Sequence, residues 1–297
     1  MSIKTTTKSV WDILIDFEKS HGSYVFDKNT NKKYLDFFSM FSSLPLGYNH
    51  EVFDEEFHNE LKKISSVKVT NCEFHTDTYK QFCNKFHEFA GVGLYENFHF
   101  TCTGALAVEC GCKLAMDYTK KERIISMENS YHGVQSYGNF TTSKFYPVNK
   151  RLKGYPNFNW SKISNLSELD YQISKGDVAG ILVEPIQATF GDNHVDPSFL
   201  REISKVAKEN DIPLIFDEIQ TGFGTTGKPW YFQHIGIEPD IVVFGKKSQV
   251  SGIMSTNKYP LESNRLCVTF DGDIIDMLRT TYIIKAYQEY GLMDNAT

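Results

Sequence analysis

Three groups with useful chemistry each follow a short apolar segment of the sequence. Residues 103–105 (Thr-Gly-Ala) open a helix-like segment, and the unpaired N–H groups at a helix start bind anions. Asp217 ends an apolar run, where an unpaired carboxylate is costly and needs a cationic partner. Lys246 or Lys247 ends the next run, and a desolvated lysine is an amine nucleophile that forms Schiff bases with aldehydes.

Each group taken alone also has an ordinary structural explanation. Residues 103–105 also fit a tight turn with a threonine N-cap, and Asp217 fits an ordinary acid at the surface. Lys246 and Lys247 fit two solvated lysines in a loop. The combination is more specific, because pyridoxal phosphate has a phosphate, a ring nitrogen and an aldehyde that need these three groups. We therefore predict pyridoxal phosphate as the cofactor, while position alone leaves the choice between the two lysines open.

A glycine-rich segment, residues 222–228 (G-F-G-T-T-G-K), matches a dinucleotide-binding pattern and the start of a phosphate-binding P-loop. Pro229 occupies the position of the P-loop Ser or Thr, which removes a magnesium-binding hydroxyl and a backbone donor. The segment also follows an Asp-Glu-Ile-Gln stretch and does not come directly after a strand. We interpret it as a glycine-rich loop of the active site.

Cysteine and histidine residues show no metal-ligand spacing in the sequence. The six cysteines are scattered along the chain, and the nine histidines match neither H-E-x-x-H nor a clustered pattern. We predict that the cysteines are reduced and buried, and that the protein has no metal site.

Short apolar runs alternate with helix patterns through much of the chain. The apolar runs are 123–127, 180–183, 213–216 and 241–244, and the helix patterns cover 54–64, 105–116, 197–208 and 273–291. Two short strands around a polar turn are predicted within residues 22–50. Continuous apolar strands separated by helices are typical of a mainly parallel sheet covered on both faces, so we predict an α/β fold.

Polar groups follow the predicted strands. In chain order they are Thr103-Gly104-Ala105, Tyr131-His132-Gly133, Glu184, Asp217 with Gln220, and Lys246 with Lys247. Ligands of open α/β sheets bind beyond the carboxyl ends of the strands. We therefore predict that these groups meet in one crevice.

The composition limits the functional class. The 297 residues are 41% hydrophobic and 23% charged, which excludes disorder and coiled coil, and the net charge of -6 offers no basic surplus for nucleic acid. No apolar run reaches the roughly 18 residues of a membrane span, and charges interrupt the N-terminal segment where a secretory signal is apolar. We therefore predict a cytoplasmic protein that binds neither nucleic acid nor membrane.

Three longer motifs carry a family resemblance. They are residues 183–187 (V-E-P-I-Q), 214–222 (L-I-F-D-E-I-Q-T-G) and 239–250 (P-D-I-V-V-F-G-K-K-S-Q-V). The chain resembles the class III, fold type I pyridoxal-phosphate aminotransferases from about Phe26 to its C-terminus. Through the F-G-K-K-x-Q-V stretch it is most similar to the L-lysine 6-aminotransferases.

The resemblance implies roles for the residues at the strand ends. Lys246, directly after the glycine, would be the lysine that holds the cofactor aldehyde as a Schiff base. Asp217 would pair with the pyridinium nitrogen, and Gln220 would reach the phenolic oxygen of the cofactor. Tyr131, before His132, would stack on the ring.

The resemblance also assigns the phosphate site and the subunit organisation. Gly104 and Ala105, next to Thr103, would bind the phosphate through their amides. Thr269 would donate its hydroxyl to the phosphate in the other subunit, so that a homodimer shares each active site. Glu184, with Gln220, would contact the substrate.

The fold that the resemblance implies is the fold type I large domain, with a mainly parallel seven-stranded sheet and helices on both faces. We expect an N-terminal segment (1–55), a cofactor-binding large domain (56–260), and an interface loop with a linker helix (261–297). The small C-terminal domain of the family is expected to be missing.

The implied reaction transfers the terminal amino group of L-lysine, or of a similar amine, to 2-oxoglutarate, giving 2-aminoadipate 6-semialdehyde and glutamate. The amino donor and the 2-oxo acid are thus the expected small-molecule partners. Two residues depart from the lysine branch. Val134 replaces an arginine that binds a substrate carboxylate, and Thr189 replaces a glutamate that gates the pocket.

Two alternatives to an active aminotransferase follow from these departures. In the first alternative, the chain is a non-catalytic relative that acts as a binding or structural subunit. In the second, it has another pyridoxal-phosphate activity, such as that of a racemase or decarboxylase.

Overall fold

A seven-stranded sheet lies at the centre of the protein, in a computed structural model that describes residues 11–143 and 160–296. The strands are β1 (Tyr24–Asp27), β2 (Lys32–Leu35), β3 (Asn97–Thr101), β4 (Arg123–Met127), β5 (Trp160–Ile163), β6 (Val178–Val183), β7 (Ile186–Gln187), β8 (Asn193–His194), β9 (Leu214–Asp217), β10 (Ile241–Phe244) and β11 (Ser251–Ser255). The main helices are α1 (Glu55–Ile64), α2 (Asp77–Ala90), α3 (Gly104–Thr119), α4 (Ser136–Thr141), α5 (Leu166–Ile173), α6 (Pro197–Glu209), α7 (Phe232–Ile235) and α8 (Ile274–Glu289).

The strand order of the central sheet is β3-β11-β10-β9-β6-β4-β5. β11 is antiparallel to both of its neighbours, whereas the other pairs are parallel. The carboxyl ends of β4, β6, β9 and β10 therefore lie along one edge of the sheet. The α/β fold and the mainly parallel seven-stranded sheet are confirmed.

The two faces of the sheet bury different sets of apolar side chains. Phe216 and Phe244 pack on one face in a cluster that includes residues of α2, α6 and α8. Ile215 and Val243, their neighbours in the chain, pack on the opposite face with residues of α3. Because both faces are covered, β10 is apolar at every position and β9 is apolar up to Asp217 at its end, as the sequence predicted.

Helix α3 approaches the sheet closely enough to need a glycine. A Cβ atom on Gly111 would lie 3.1 Å from Cγ2 of Val243 on β10. The helix begins after Thr103, whose hydroxyl accepts a hydrogen bond from the Leu106 N–H at 3.3 Å. This N-cap fixes the start of α3 directly behind β3.

Other predicted elements are also confirmed. β1 and β2 form the antiparallel pair expected within residues 22–50, and α1, α6 and α8 lie where helix patterns were found. Among the described residues, no helix is both long and apolar enough to cross a membrane. The division into segments 1–55, 56–260 and 261–297 stays a prediction.

The expectation that all cysteines are buried was wrong. Cys110 and Cys112 on α3 are buried, but Cys102 and Cys267 are exposed and Cys72 is half-buried. The two exposed cysteines lie in loops, where packing does not enclose them.

Candidate active site

One cavity of about 240 Å³ opens beyond the carboxyl ends of the parallel strands. It is lined by Gly104, Ala105, Tyr131, His132, Gly133, Val134, Glu184, Ala188, Thr189, Asp217, Ile219, Gln220 and Lys246. The structure thus brings together groups that follow β3, β4, β6, β9 and β10, although they are far apart in the sequence. Of the site residues predicted from the sequence, Thr103 and Thr269 are not in this lining.

Register in the sheet explains why an acid and an amine meet here. β9 and β10 are parallel neighbours, and Asp217 at the end of β9 pairs with Val243 on β10. Beyond Val243, β10 continues for one residue, Phe244, and Gly245 and Lys246 follow. Lys246 therefore emerges at the same edge of the sheet as Asp217. A Cβ atom on Gly245 would lie 2.8 Å from the Ser251 hydroxyl, so a larger residue would displace this turn.

Asp217 is held by two hydrogen bonds within the protein. Its Oδ2 lies 2.8 Å from Nδ1 of His132, and its Oδ1 accepts from the Ile219 N–H at 3.1 Å. The side chains of both Asp217 and His132 are buried, at 5% and 0% exposure. A buried, hydrogen-bonded carboxylate at this position is a source of negative charge inside the cavity.

Sequence reasoning did not find the pairing of His132 with Asp217. Their spacing does not indicate this contact, because the two residues come from different strand ends and are 85 positions apart. The His132 N–H donates to the Thr142 hydroxyl at 2.9 Å, and that hydroxyl donates to the Gly133 carbonyl. The backbone of His132 is therefore held by hydrogen bonds within its own loop, independently of the contact with Asp217.

The other ring nitrogen of His132, Nε2, is buried and has no hydrogen-bond partner among the residues that the structure describes. A buried polar atom without a partner is costly, so its presence beside a cavity indicates that a bound group completes the site.

The start of α3 provides the anion-binding end of the cavity. Gly104 and Ala105 are its first two residues, so their N–H groups have no partner within the helix. A Cβ atom on Gly104 would lie 2.7 Å from Cδ1 of Ile219, which shows how closely this turn approaches the β9 loop. Thr103 contributes through its N-cap, with its hydroxyl turned to the Leu106 amide.

The two adjacent lysines have different surroundings, which position in the sequence could not distinguish. Lys246 lines the cavity, and burial lowers the pKa of its amine, while the charges of Asp217 and Glu184 act in the opposite direction. The Nζ of Lys247 instead donates to the Ser42 hydroxyl at 3.2 Å. Lys246 is also in the left-handed backbone region (φ 51°), a conformation that costs about 1–2 kcal/mol in an L-residue and is found at functional sites.

Two glutamates near Asp217 also differ in their surroundings, because only one of them lines the cavity. Glu184 lines the cavity and accepts from the Tyr131 N–H at 2.9 Å. Glu218 is fully enclosed on the other side, where it accepts from the Tyr231 and Phe232 N–H groups at 2.9 and 2.8 Å. Glu218 therefore holds the start of α7, whereas Glu184 faces the reaction space.

Burial, reinforced by the charge of Asp217, raises the pKa of Glu184 from 4.5 to about 8. The folded protein thus keeps a proton that the unfolded chain loses between these two values, so stability falls as the pH rises through this range. We expect the cofactor-free Glu184→Gln variant, which cannot ionise, to lose less thermal stability than the wild type between about pH 5 and about pH 8. Thermal unfolding across this range measures the difference, and parallel curves would contradict the expectation.

The glycine-rich segment 222–228 is not part of the cavity lining in the described structure, so its interpretation as an active-site loop was wrong. A Cβ atom on Gly222 would lie 2.4 Å from the Trp230 ring, and one on Gly224 would lie 2.7 Å from the Tyr287 ring. Gly222 and Gly224 are therefore needed for close packing against these two rings.

The site and the fold define a class of protein. The family model for aminotransferase class-III matches residues 5–297, and the chain belongs to this family.

The chain is similar to several named aminotransferases. The L-lysine-epsilon aminotransferase of Amycolatopsis lactamdurans is 31% identical over 96% of this chain and 72% of the relative. A lysine aminotransferase from M. tuberculosis in the internal aldimine form superposes with a TM-score of 0.90 at 28% identity, covering 99% of this chain and 76% of that chain. The acetylornithine aminotransferase of Aquifex aeolicus is 30% identical over 78% of this chain and 61% of the relative.

The protein is therefore a pyridoxal-phosphate-dependent transaminase that uses an amino donor and a keto acid. The cavity fits this cofactor on structural grounds, because it combines a helix start for the phosphate, a buried acid and a desolvated amine. The comparisons do not favour the non-catalytic alternative.

Proposed function

We propose that the protein transfers the terminal amino group of L-lysine, or of a similar primary amine, to 2-oxoglutarate. The products are 2-aminoadipate 6-semialdehyde and glutamate. The observation that carries this proposal is the meeting of Lys246, Asp217 and the start of α3 around one cavity in a chain related to lysine aminotransferases.

Each end of the cofactor has a protein group to hold it. The N–H groups of Gly104 and Ala105 would bind the phosphate, Asp217 would hold a proton at the ring nitrogen, and Gln220 would contact the phenolic oxygen. Tyr131 would cover the ring. Bound pyridoxal phosphate supplies an aldehyde that accepts amino groups and a ring that takes up the electron pair left by a departing proton.

Lys246 acts as the base once its amine is free. Burial favours the neutral amine, so its Nζ can accept the proton from the substrate carbon that bears the amino group and then return it. Oδ2 of Asp217 lies 2.8 Å from Nδ1 of His132, so the histidine holds the acid in place. The carboxylate is thereby positioned to hold a proton on the ring nitrogen of the cofactor.

The substrate end of the cavity is less charged than in the lysine branch that the sequence resembles. Val134 and Thr189 line it, and Val134 is 46% exposed at its mouth. Lys246 is the only lysine or arginine among the described residues of the lining. A lysine donor would thus present its uncharged methylene chain to these residues, with its amino end toward Lys246.

Thr269 supports the proposal that the active enzyme is a homodimer. It lies in the loop between β11 and α8 (residues 256–273, the 256–273 loop), and it does not line the cavity of its own chain. We propose that its hydroxyl reaches the phosphate site of the partner subunit.

An isotope experiment tests the proposed reaction. The cofactor-loaded protein is mixed with L-lysine labelled with ¹⁵N at Nε and with 2-oxoglutarate, and glutamate is analysed by mass spectrometry. Labelled glutamate is expected, because the terminal amino group is the one transferred. Unlabelled glutamate would show transfer of the α-amino group, and turnover with N-acetylornithine but not with lysine would contradict the choice of donor.

A further inference from the structure

A second cluster of ligand-type side chains lies away from the proposed cofactor cavity. His99 is on β3, and Cys267 and Asp271 are on the 256–273 loop. One ligand atom from each of the three side chains lies within 4.8 Å of the others. Their separation in the chain explains why spacing motifs did not reveal the group.

Two atoms of this cluster are buried without the partners that they require. His99 Nε2 and Asp271 Oδ1 have no hydrogen-bond partner among the described residues, and the two side chains are 13% and 8% exposed. The second oxygen of Asp271, Oδ2, already accepts from the Val268 N–H at 2.7 Å. Leaving both atoms unsatisfied is costly, so a ligand between the three side chains would satisfy groups that the described residues leave without partners.

We propose that His99, Cys267 and Asp271 bind a zinc ion. Imidazole nitrogen, thiolate and carboxylate are the three ligand types that Zn²⁺ takes in proteins, at about 2.0–2.3 Å from the ion. His99 Nε2 lies 3.9 Å from Oδ2 of Asp271, so these two ligands are close to the separation of a tetrahedral site before any ion binds. On binding, the Cys267 thiol releases its proton to solvent, and a sulfur–zinc bond forms.

All three side chains line a cavity of about 300 Å³. Asn71, Cys72, His75 and Tyr79 are among the residues that line this space. Its size leaves room for a water molecule on the ion, which is the usual arrangement of a site with three protein ligands. In the single chain, Cys267 is exposed to solvent.

Zinc at this site would tie the 256–273 loop to the central sheet. Residues 268–270 lie between two of the ligands in the chain, and Thr269 is one of them. Binding of the ion therefore restricts the residue that we propose to act in the partner subunit, although the zinc site itself does not depend on that role.

Zinc titration of the chelator-treated, cofactor-loaded protein tests the proposal. One Zn²⁺ per chain is expected by calorimetry. Cys267→Ser and Asp271→Asn are each expected to weaken binding by about 100-fold or more, because removal of outer-shell partners alone costs about 10- to 100-fold. Cys102→Ser is the matched control, because Cys102 is also an exposed cysteine but lies outside the cluster.

Cobalt gives a second measurement that identifies the thiolate. Co²⁺ should produce a thiolate-to-metal charge-transfer band in the wild type and in Cys102→Ser, and no such band in Cys267→Ser. Circular dichroism of each variant without metal checks that it is folded. Failure of the folded wild type to bind Zn²⁺, or equal binding by wild type and Cys267→Ser, would overturn the assignment.

Hydrogen exchange tests the consequence for the loop. Zinc should slow amide exchange in the 256–273 loop of the wild type, and it should leave the exchange unchanged in Cys267→Ser. Slower exchange in both proteins would show that the ion acts elsewhere, and it would overturn the site.

Discussion

The Lys246→Ala variant is expected to lose transamination by about 10³-fold or more, because the proton-transfer base and the amine that holds the cofactor disappear together. Lys246 is the lysine that lines the cavity, and burial lowers the pKa of its amine. The absorbance band of the lysine-bound cofactor should also be lost, so that borohydride no longer attaches the cofactor to the chain. Steady-state glutamate formation and mass spectrometry of the borohydride-treated protein measure the two effects.

Lys247→Ala is the matched control for this variant. Lys247 has the same chemistry and the neighbouring position, but its Nζ donates to the Ser42 hydroxyl and it does not line the cavity. It should retain the cofactor band and most of the activity. Cofactor trapped on Lys247 in the wild type, or full activity in Lys246→Ala, would contradict the assignment of the base.

The strand ends were predictable from the sequence because burial on both faces produces continuous apolar runs. β4, β6, β9 and β10 each appear as such a run, and parallel order then brings the residues after them to one edge. The meeting of Glu184, Asp217 and Lys246 follows from topology alone. Their individual surroundings do not, because these depend on side chains contributed by other elements.

Features that depend on pairs of distant residues could not be predicted from spacing. His132 and Asp217 meet only because the loop after β4 reaches the end of β9. The His99, Cys267 and Asp271 cluster forms only when β3 packs beside the 256–273 loop. The glycine-rich segment 222–228 shows the opposite error. Its pattern matches a ligand-binding motif, but Gly222 and Gly224 are required by the Trp230 and Tyr287 rings.

Asp217→Asn is expected to lower kcat by about 10²- to 10³-fold, an effect comparable to removing one preorganised electrostatic partner from other active sites. The amide keeps the size of the side chain but has no charge to hold a proton at the cofactor ring nitrogen. It also replaces the anionic partner of His132 Nδ1 with a neutral group. Rates of the half-reaction with the amino donor, followed by absorbance, isolate this step from release of the products.

Glu218→Gln distinguishes a loss of charge at the site from a general loss of buried charge. Glu218 is adjacent in the chain and equally enclosed, but its carboxylate accepts from the Tyr231 and Phe232 N–H groups and not from residues that line the cavity. This variant should unfold at lower temperature while its half-reaction rate, measured below that temperature, stays near the wild-type value. Equal losses of rate in Asp217→Asn and Glu218→Gln would mean that the Asp217 effect is structural. A selective loss in Asp217→Asn would instead place the required negative charge at the end of β9, beside His132 and within the electrostatic reach of Lys246.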